Sequence, residues 1–273
     1  MRLRTESVKG CRYVRYRADG AIALAYVELH VPEKEAVLTR RPRQAPATNR
    51  LLDRLPAKDR AEVVAGCESM QLTLGEVLAE PGEPIRNVYF PTGGFISLIA
   101  PMGGTSTLEV ALAGNEGVYG VPLALGVTLS PVRAVVQGAG TAWRMSAAEF
   151  RRDLTVFPKL RASVDMYIHV LMSQLMQTAG CNRFHVVEQR VARWLLMTSD
   201  RAGSPTFDMT HEFLAQMLGV RRVGVTEAAS ALQARKLIGY KRGVITIVDR
   251  KGLERASCGC YESDRTTYER FFG

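Results

Sequence analysis

The spacing of hydrophobic residues changes along the chain, and each change predicts a different kind of element. Residues 1–48 show no sustained period, and the stretch RRPRQAPATN (40–49) is rich in arginine, proline and alanine. A disordered basic arm is predicted there. Residues 49–67 carry two short helical patterns, Leu51, Leu52, Leu55 and then Ala61, Val63, Val64, broken at Pro56. From about residue 69 to 145 the pattern turns to short alternating or apolar runs. Gly75, Gly82, Gly93-Gly94, Gly103-Gly104, Gly114, Gly117 and Gly138 punctuate them. Many short strands joined by tight turns predict a β-roll or jelly-roll over 49–155.

Helical spacing returns at Ser146, a candidate N-cap for the helix starting Ala147-Ala148-Glu149. In the following long segment Leu160, Val164, Tyr167, Leu171, Gln174 and Thr178 fall at alternating steps of four and three. That seam suits a twin helix, so a dimerisation helix is predicted over 156–182. Residues 187–198 place Val187, Val191, Trp194 and Leu195 on one face, before a break at Ala202-Gly203-Ser204-Pro205.

Thr210 is the expected N-cap of a short helix with Phe213, Leu214, Met217 and Leu218 inward, closed by Gly219. A second helix follows at once with Val225, Ala228, Ala229 and Leu232 inward, and the small Ala215 stands where the two would cross. Two helices on a tight glycine turn make a helix-turn-helix. Tyr240 to Val248, with the basic turn Lys241-Arg242-Gly243, adds a β-hairpin wing. The winged helix-turn-helix is placed at 183–257, and 258–273 is left as a C-terminal tail.

Charge sharpens this picture. Residues 1–50, 51–150 and 151–273 carry net +6, −4 and +7. A basic C-terminal part attracts polyanions, and nucleic acid is the commonest of these inside a cell. On the second helix Arg222, Val223, Thr226, Glu227 and Ser230 point outward toward base edges. Arg221, Arg235, Lys236, Lys241 and Arg242 are placed for phosphate. The five cysteines, Cys11, Cys67, Cys181, Cys258 and Cys260, are scattered and lack a C-x-x-C pair. They suit a reducing compartment, and no metal or cofactor is predicted from them. Cys258 and Cys260 form a C-x-C that reads as exposed thiols without function. The apolar run at 21–27 is followed by Glu28 and His30 rather than a cleavage site, and no stretch is long enough to span a bilayer. A cytoplasmic protein is expected.

The order of β-roll, long helix and winged helix resembles the Crp/Fnr superfamily of bacterial transcription regulators over about residues 49–257. The stretch TFDMTHEFLAQMLGVRRVGVTEAASALQARKLIGYKRGVITIVDR carries the resemblance most specifically, with CNRFHVVEQRVARWLLM and EPGEPIRNVYFPTGGFISL beside it. The resemblance implies an α+β chain with a sensor β-roll. It also implies a homodimer on a two-fold double-stranded operator, with RNA polymerase as a further partner. Cyclic-nucleotide sensors of this superfamily carry a Gly-Glu pair and an Arg-Ser pair in the roll. Here Val118 and Ser130-Pro131 stand at those places, and Arg133 falls at an odd offset, on the opposite strand face. Cyclic AMP binding is therefore not expected, and the effector stays open. The cysteine cluster of the superfamily's iron-sulfur sensors is absent, because only Cys11 precedes Cys67, and His169 alone could serve a haem. At the recognition helix the nucleotide-activated archetype presents Arg, Glu and Arg, where this chain has Arg222, Val223 and Glu227.

An enzyme of the cupin type shares the β-roll but needs several histidines inside it, and none lies between His30 and His169. No enzymatic activity is expected. The alternative to DNA binding is a ligand-binding module that regulates a partner protein through its winged helix.

Overall fold

The computed structural model describes residues 48–104 and 106–272, together with the backbone of four short strands between Thr5 and Ala23. Those strands, β1 (Thr5–Val8), β2 (Cys11–Val14), β3 (Tyr16–Ala18) and β4 (Ala21–Ala23), pair as two antiparallel hairpins, β1 with β2 and β3 with β4. Strand pairing thus occurs inside the arm that was expected to lack structure. The rest of that arm lies outside the described residues.

The second compact unit runs from Pro46 to Gly273. It opens with α1 (Arg50–Asp53) and α2 (Ala57–Ala65), separated at Pro56. Asn49 caps α1 by accepting from the Leu52 amide, and its own amide donates to the carbonyls of Pro91 and Gly117 at 2.9 and 2.8 Å. One buried side chain thereby fixes the helical lid to the roll beneath it.

The roll is built from β5 (Glu68–Leu72), β6 (Val77–Ala79), β7 (Asn87–Pro101), β8 (Thr107–Ala113) and β9 (Arg133–Ser146). All belong to one antiparallel sheet ordered β5-β9-β7-β8, with β6 also on β9. Two strands of this length stay paired only by bending together, and the register of β7 on β9 shifts three times between Pro91 and Ile96. Glycine makes the bend possible. A Cβ on Gly94 would stand 2.1 Å from the Gly138 carbonyl oxygen, and one on Gly140 would stand 2.1 Å from that of Gly93. Phe90, Ile96, Val88 and Val136 fill the interior that the bend creates.

Ser146 ends β9 and starts α3 (Ala147–Val156) with a capping box, its hydroxyl on the Glu149 amide and the Glu149 carboxylate on the Ser146 amide. Then comes α4 (Pro158–Phe184). Its expected dimer seam is spent inside the chain. Leu160, Val164 and Tyr167 are buried in the core of the roll, Gln174 is buried farther along, and Leu171 and Thr178 are half-buried. The reason is a competitor for the helix that the sequence pattern does not display. The roll lies against one side of α4, and α9 (Cys260–Phe272) packs beside it. The face of α4 left open carries Met172 and Met176, with Met166 and Leu175 at its edges.

Residues 258–273, expected to be a tail, hold that helix α9. Tyr261, Asp264, Tyr268 and Phe272 recur at helical spacing and are all buried. Tyr268 and Phe272 join the roll's core, and Tyr268 donates to the Glu116 carbonyl. The pattern is short and mixed with charge, which hides it in a sequence.

The second core belongs to α5 (Val187–Ala202), β10 (Thr206–Asp208), α6 (His211–Leu218), α7 (Arg222–Ala234), β11 (Ile238–Lys241), β12 (Val244–Ile247) and α8 (Arg250–Ala256). Ile99 of β7 lies in the same core, so the roll and the helical part share packing. Among the described residues no helix is long and apolar enough to cross a membrane.

The bend in β7 and β9 gives a direct test. Gly140→Ala, which drives a methyl into backbone, should destabilise the fold by about 3 kcal/mol or more. Gly126→Ala, with open space around its Cβ but a φ of 80°, should lose only about 1–2 kcal/mol. Urea unfolding of both variants measures the difference, and equal losses would overturn the account of the bend.

Candidate nucleic-acid interface

Helix α6 begins where Thr210 accepts from the Phe213 amide at 3.1 Å and ends at Gly219, whose φ of 62° turns the chain sharply into α7. Leu214, Ala215, Met217 and Leu218 of α6 are buried against Val225, Ala228, Ala229 and Leu232 of α7. With that stripe inward, the rest of α7 is forced outward. Arg221, Arg222, Val223, Thr226, Glu227 and Ser230 are all exposed, and Val223, though apolar, is 57% exposed. A single exposed valine is ordinary on a protein surface, and here it is the apolar member of an otherwise polar face.

Local bonds order this face. Arg221 sits at the N-cap of α7 without a side-chain cap bond, leaving the first amides of the helix available to an anion. The Thr226 hydroxyl donates back to the Arg222 carbonyl and meets His211 Nδ1 at 3.1 Å, and Ser230 donates to the Thr226 carbonyl at 2.7 Å. His211 stacks on Tyr240 of β11, with ring centroids 4.2 Å apart. Burial, and then the neighbouring Arg222 charge, hold the His211 pKa below its usual range, so the ring stays neutral and positions Thr226. Neither His211 nor Tyr240 is singled out by the sequence pattern, because their link is a contact between separate elements.

Beyond α7, Arg235 is held by Glu188 at 2.7 Å, while Lys236 adopts a left-handed φ of 58° at the exit from the helix. β11 and β12 pair with Lys241 opposite Val244, and Arg242 and Gly243 form the two-residue turn with φ of 52° and 82°. Two positive φ values in succession define the hairpin turn that matches strand twist. Lys241 and Arg242 are exposed at its tip. Of the six expected basic contacts, Arg235 is tied to Glu188 and Arg222 has only a loose pair with Glu212 at 3.7 Å, while Arg221, Lys236, Lys241 and Arg242 form no ion pair among the described residues.

The face is carried by α5, which connects it to the roll. Trp194 Nε1 donates to the Glu109 carboxylate of β8 at 2.6 Å, and the Ser97 hydroxyl donates to its other oxygen at 2.6 Å. Arg201 pairs with Glu116 at 2.7 Å, and Arg193 with Asp264 of α9 at 2.5 Å. These groups are all buried. Around the expected nucleotide pocket, Val118 is buried, the Ser130 hydroxyl donates to the Val132 carbonyl and accepts from Tyr119, and Arg133 pairs with Glu80 at 3.4 Å. Tyr167 of α4 packs so closely on Gly117 that a Cβ there would meet its ring at 2.2 Å.

Burial pushes the Glu109 pKa from 4.5 up to about 7, although the bonds from Ser97 and Trp194 and the charges of Arg201 and Arg193 pull the other way. The folded state therefore holds a proton that the unfolded chain releases between these two values. Stability from this group is fully present below about 4.5 and is lost as pH rises toward 7. Glu109→Gln should flatten the pH dependence of urea stability in that window. Trp194→Phe should cost about 1.5–3 kcal/mol near pH 8, where it strips a donor from a buried carboxylate, and less near pH 5. Equal losses at both pH values would remove the carboxylate from the explanation.

Comparison with known proteins follows the same division. Residues 189–256 match the Crp-like helix-turn-helix domain family. No curated protein sequence matches significantly. Solved structures are similar over most of this chain. A transcriptional regulator of the Crp/Fnr family from Eubacterium rectale has 17% identity and a TM-score of 0.59, over 76% of this chain and 96% of its own. The c-di-GMP-responsive global regulator CLP of Xanthomonas campestris has 16% identity and a TM-score of 0.59, over 70% and 99%. FixK2 from Bradyrhizobium japonicum has 15% identity and a TM-score of 0.59, over 70% and 98%. The chain carries a Crp-like helix-turn-helix domain on the fold of the Crp/Fnr superfamily of transcription regulators.

Proposed function

We propose that the protein is a homodimeric, sequence-specific DNA-binding transcription regulator, in which α7 enters the major groove and the β11–β12 wing touches the backbone. The observation that carries this reading is the outward row on α7, Arg222, Val223, Thr226, Glu227 and Ser230, continued by the cationic wing tip. Arg222 lies in the first turn of the helix, where an arginine reaches guanine O6 and N7. Val223 and Glu227 give the half-site a different demand from one read by a glutamate and an arginine at those places. The wing residues Lys241 and Arg242 supply charge without base information.

The face proposed to meet the twin helix is the open side of α4, centred on Met172 and Met176, and replaces the seam that the roll occupies. Thioether side chains exposed to 56% and 66% cover an apolar stripe that a second copy of the same helix would bury. The roll itself is proposed not to take cyclic AMP. Supporting this, the glutamate's place is filled by the buried Val118, and the Ser130 hydroxyl is already engaged by Tyr119 and the Val132 carbonyl.

Selection of bound sequences from random duplexes with the full chain tests the DNA reading. Arg222→Ala should lose about 1–3 kcal/mol of discrimination at one base pair per half-site. Arg242→Ala should weaken all sequences alike and reduce the slope of affinity against salt. Absence of duplex binding at about 50 mM salt would shift the winged helix to the partner-protein reading. For the dimer, sedimentation should show Met176→Glu as a monomer under conditions where the wild type is a dimer, because the substitution buries an unpaired charge. An unchanged dimer would overturn the choice of face.

A further inference from the structure

Four side chains from two distant stretches converge where α4 gives way to α5. Cys181 lies on the last turn of α4, and His185 is the residue that caps it, four positions on. Cys258 and Cys260 flank Gly259 between α8 and α9. Cys181 Sγ is 3.5 Å from Cys258 Sγ, Cys260 Sγ is 3.4 Å from His185 Nδ1, and all four ligand atoms lie within 4.8 Å of one another. The three cysteines are at most 4% exposed and form a cluster apart from both main cores.

Cys181 and Cys258 are free thiols at this separation. The separation fits the edge of a tetrahedron around a zinc-like ion, since metal-sulfur bonds of about 2.3 Å set ligands about 3.8 Å apart. Four donors this close enclose one ion; a cluster of several irons would need them spread wider. Buried cysteines often act as small apolar residues, but here a histidine nitrogen is aimed into the group and Gln177 Nε2 donates to Cys260 Sγ at 2.9 Å. Charge agrees as well. Three thiolates and a neutral imidazole around a divalent cation leave one negative charge. Arg190 is buried beside Cys181 and Cys258, its guanidinium donates to the Leu218 carbonyl, and its Nε has no hydrogen-bond partner. Arg193, the other buried cation nearby, is already matched by Asp264.

We propose that Cys181, His185, Cys258 and Cys260 hold one divalent ion of the zinc class in a tetrahedral Cys3His site that fastens the C-terminal helices to the junction of the long helix and the DNA-binding domain. The ligand set replaces the expectation of a chain without metal and of exposed, idle C-x-C thiols. On binding, the three thiols release their protons to solvent and His185 ligates through Nδ1. The ion then fixes the bend at His185-Val186, from which α5 carries the helix-turn-helix domain.

Metal analysis of the full chain, purified under reducing conditions, should find about one zinc per chain. After chelation, Co2+ added alone should give the ligand-field and sulfur-to-metal charge-transfer bands of a tetrahedral thiolate site. Cys181→Ser, Cys258→Ser, Cys260→Ser and His185→Gln should each weaken metal binding at least about tenfold, the upper range of losses even for residues that merely support a ligand being larger still. Cys67→Ser should bind as the wild type does. Reduced wild-type protein that takes up neither zinc nor Co2+ would overturn the site, whether or not any variant folds. So would a Co2+ spectrum untouched by the ligand substitutions, or iron and sulfide in place of a single ion.

Discussion

The placement of α5 turns on how its buried guanidinium groups are met. This helix is enclosed by the roll, by α9 and by the helix-turn-helix core, yet it carries Arg190, Arg193 and Arg201, each less than 10% exposed. Buried guanidinium groups are costly unless each meets a partner with good geometry. Here Arg193 and Arg201 meet carboxylates from different neighbours, Asp264 on α9 and Glu116 in the roll, while Arg190 meets only the Leu218 carbonyl at the end of α6. Trp194 adds a fourth link, to Glu109 of β8. Such pairs add little net stability over apolar packing, but a shift of α5 would break several at once, so they select a single placement of the helix.

That placement explains why the roll and the helix-turn-helix part share packing. Gly219, which turns α6 into α7, lies against Leu108 of β8, where a Cβ would come within 2.9 Å of the leucine methyl. Gln137 of β9 reaches Met217 of α6. A change in the roll therefore has a short route to α7, through β8 and the Glu109-Trp194 bond, without passing along α4. The physical requirement for a switch is a second arrangement of comparable energy, and the titrating carboxylate at Glu109 is a group whose charge state alters this contact.

The outward side of α7 was legible in the sequence because one amphipathic pattern settles both sides of a helix. Once Val225, Ala228, Ala229 and Leu232 are inward, Arg222, Val223, Thr226, Glu227 and Ser230 have nowhere else to point. Thr210, Gly219 and the Arg242-Gly243 turn each have a local chemistry that marks an element's end. The seam on α4 was less secure for the same reason in reverse. Leu160, Val164 and Tyr167 do form one apolar stripe, but periodicity does not name the surface that covers it, and that surface is the roll rather than a twin helix. The Cys181, His185, Cys258 and Cys260 group was hidden by its spacing, since its two halves lie 77 residues apart between Cys181 and Cys258 and neither is a familiar ligand pair alone. Helix α9, which brings them together, is itself masked by a short apolar pattern mixed with charge.

On the proposed reading, the chain fills with its own residues the place where a relative would hold a nucleotide. Glu116 is held by Arg201, Gly117 is covered by Tyr167, and Tyr268 bonds the Glu116 carbonyl. A ligand entering there would have to displace aromatic rings from α4 and α9 and break a buried ion pair. Each of those contacts also positions α5, so the loss would be felt at the DNA-binding face. The cysteine-histidine group lies at the opposite end of α9. It joins α9 to the start of α5 at the end of α4, and the roll joins α9 through Tyr268 and Phe272 at the other end. Helix α9 is thus held at both of its ends while it packs on α5, and release at either end would loosen its Asp264 contact with Arg193.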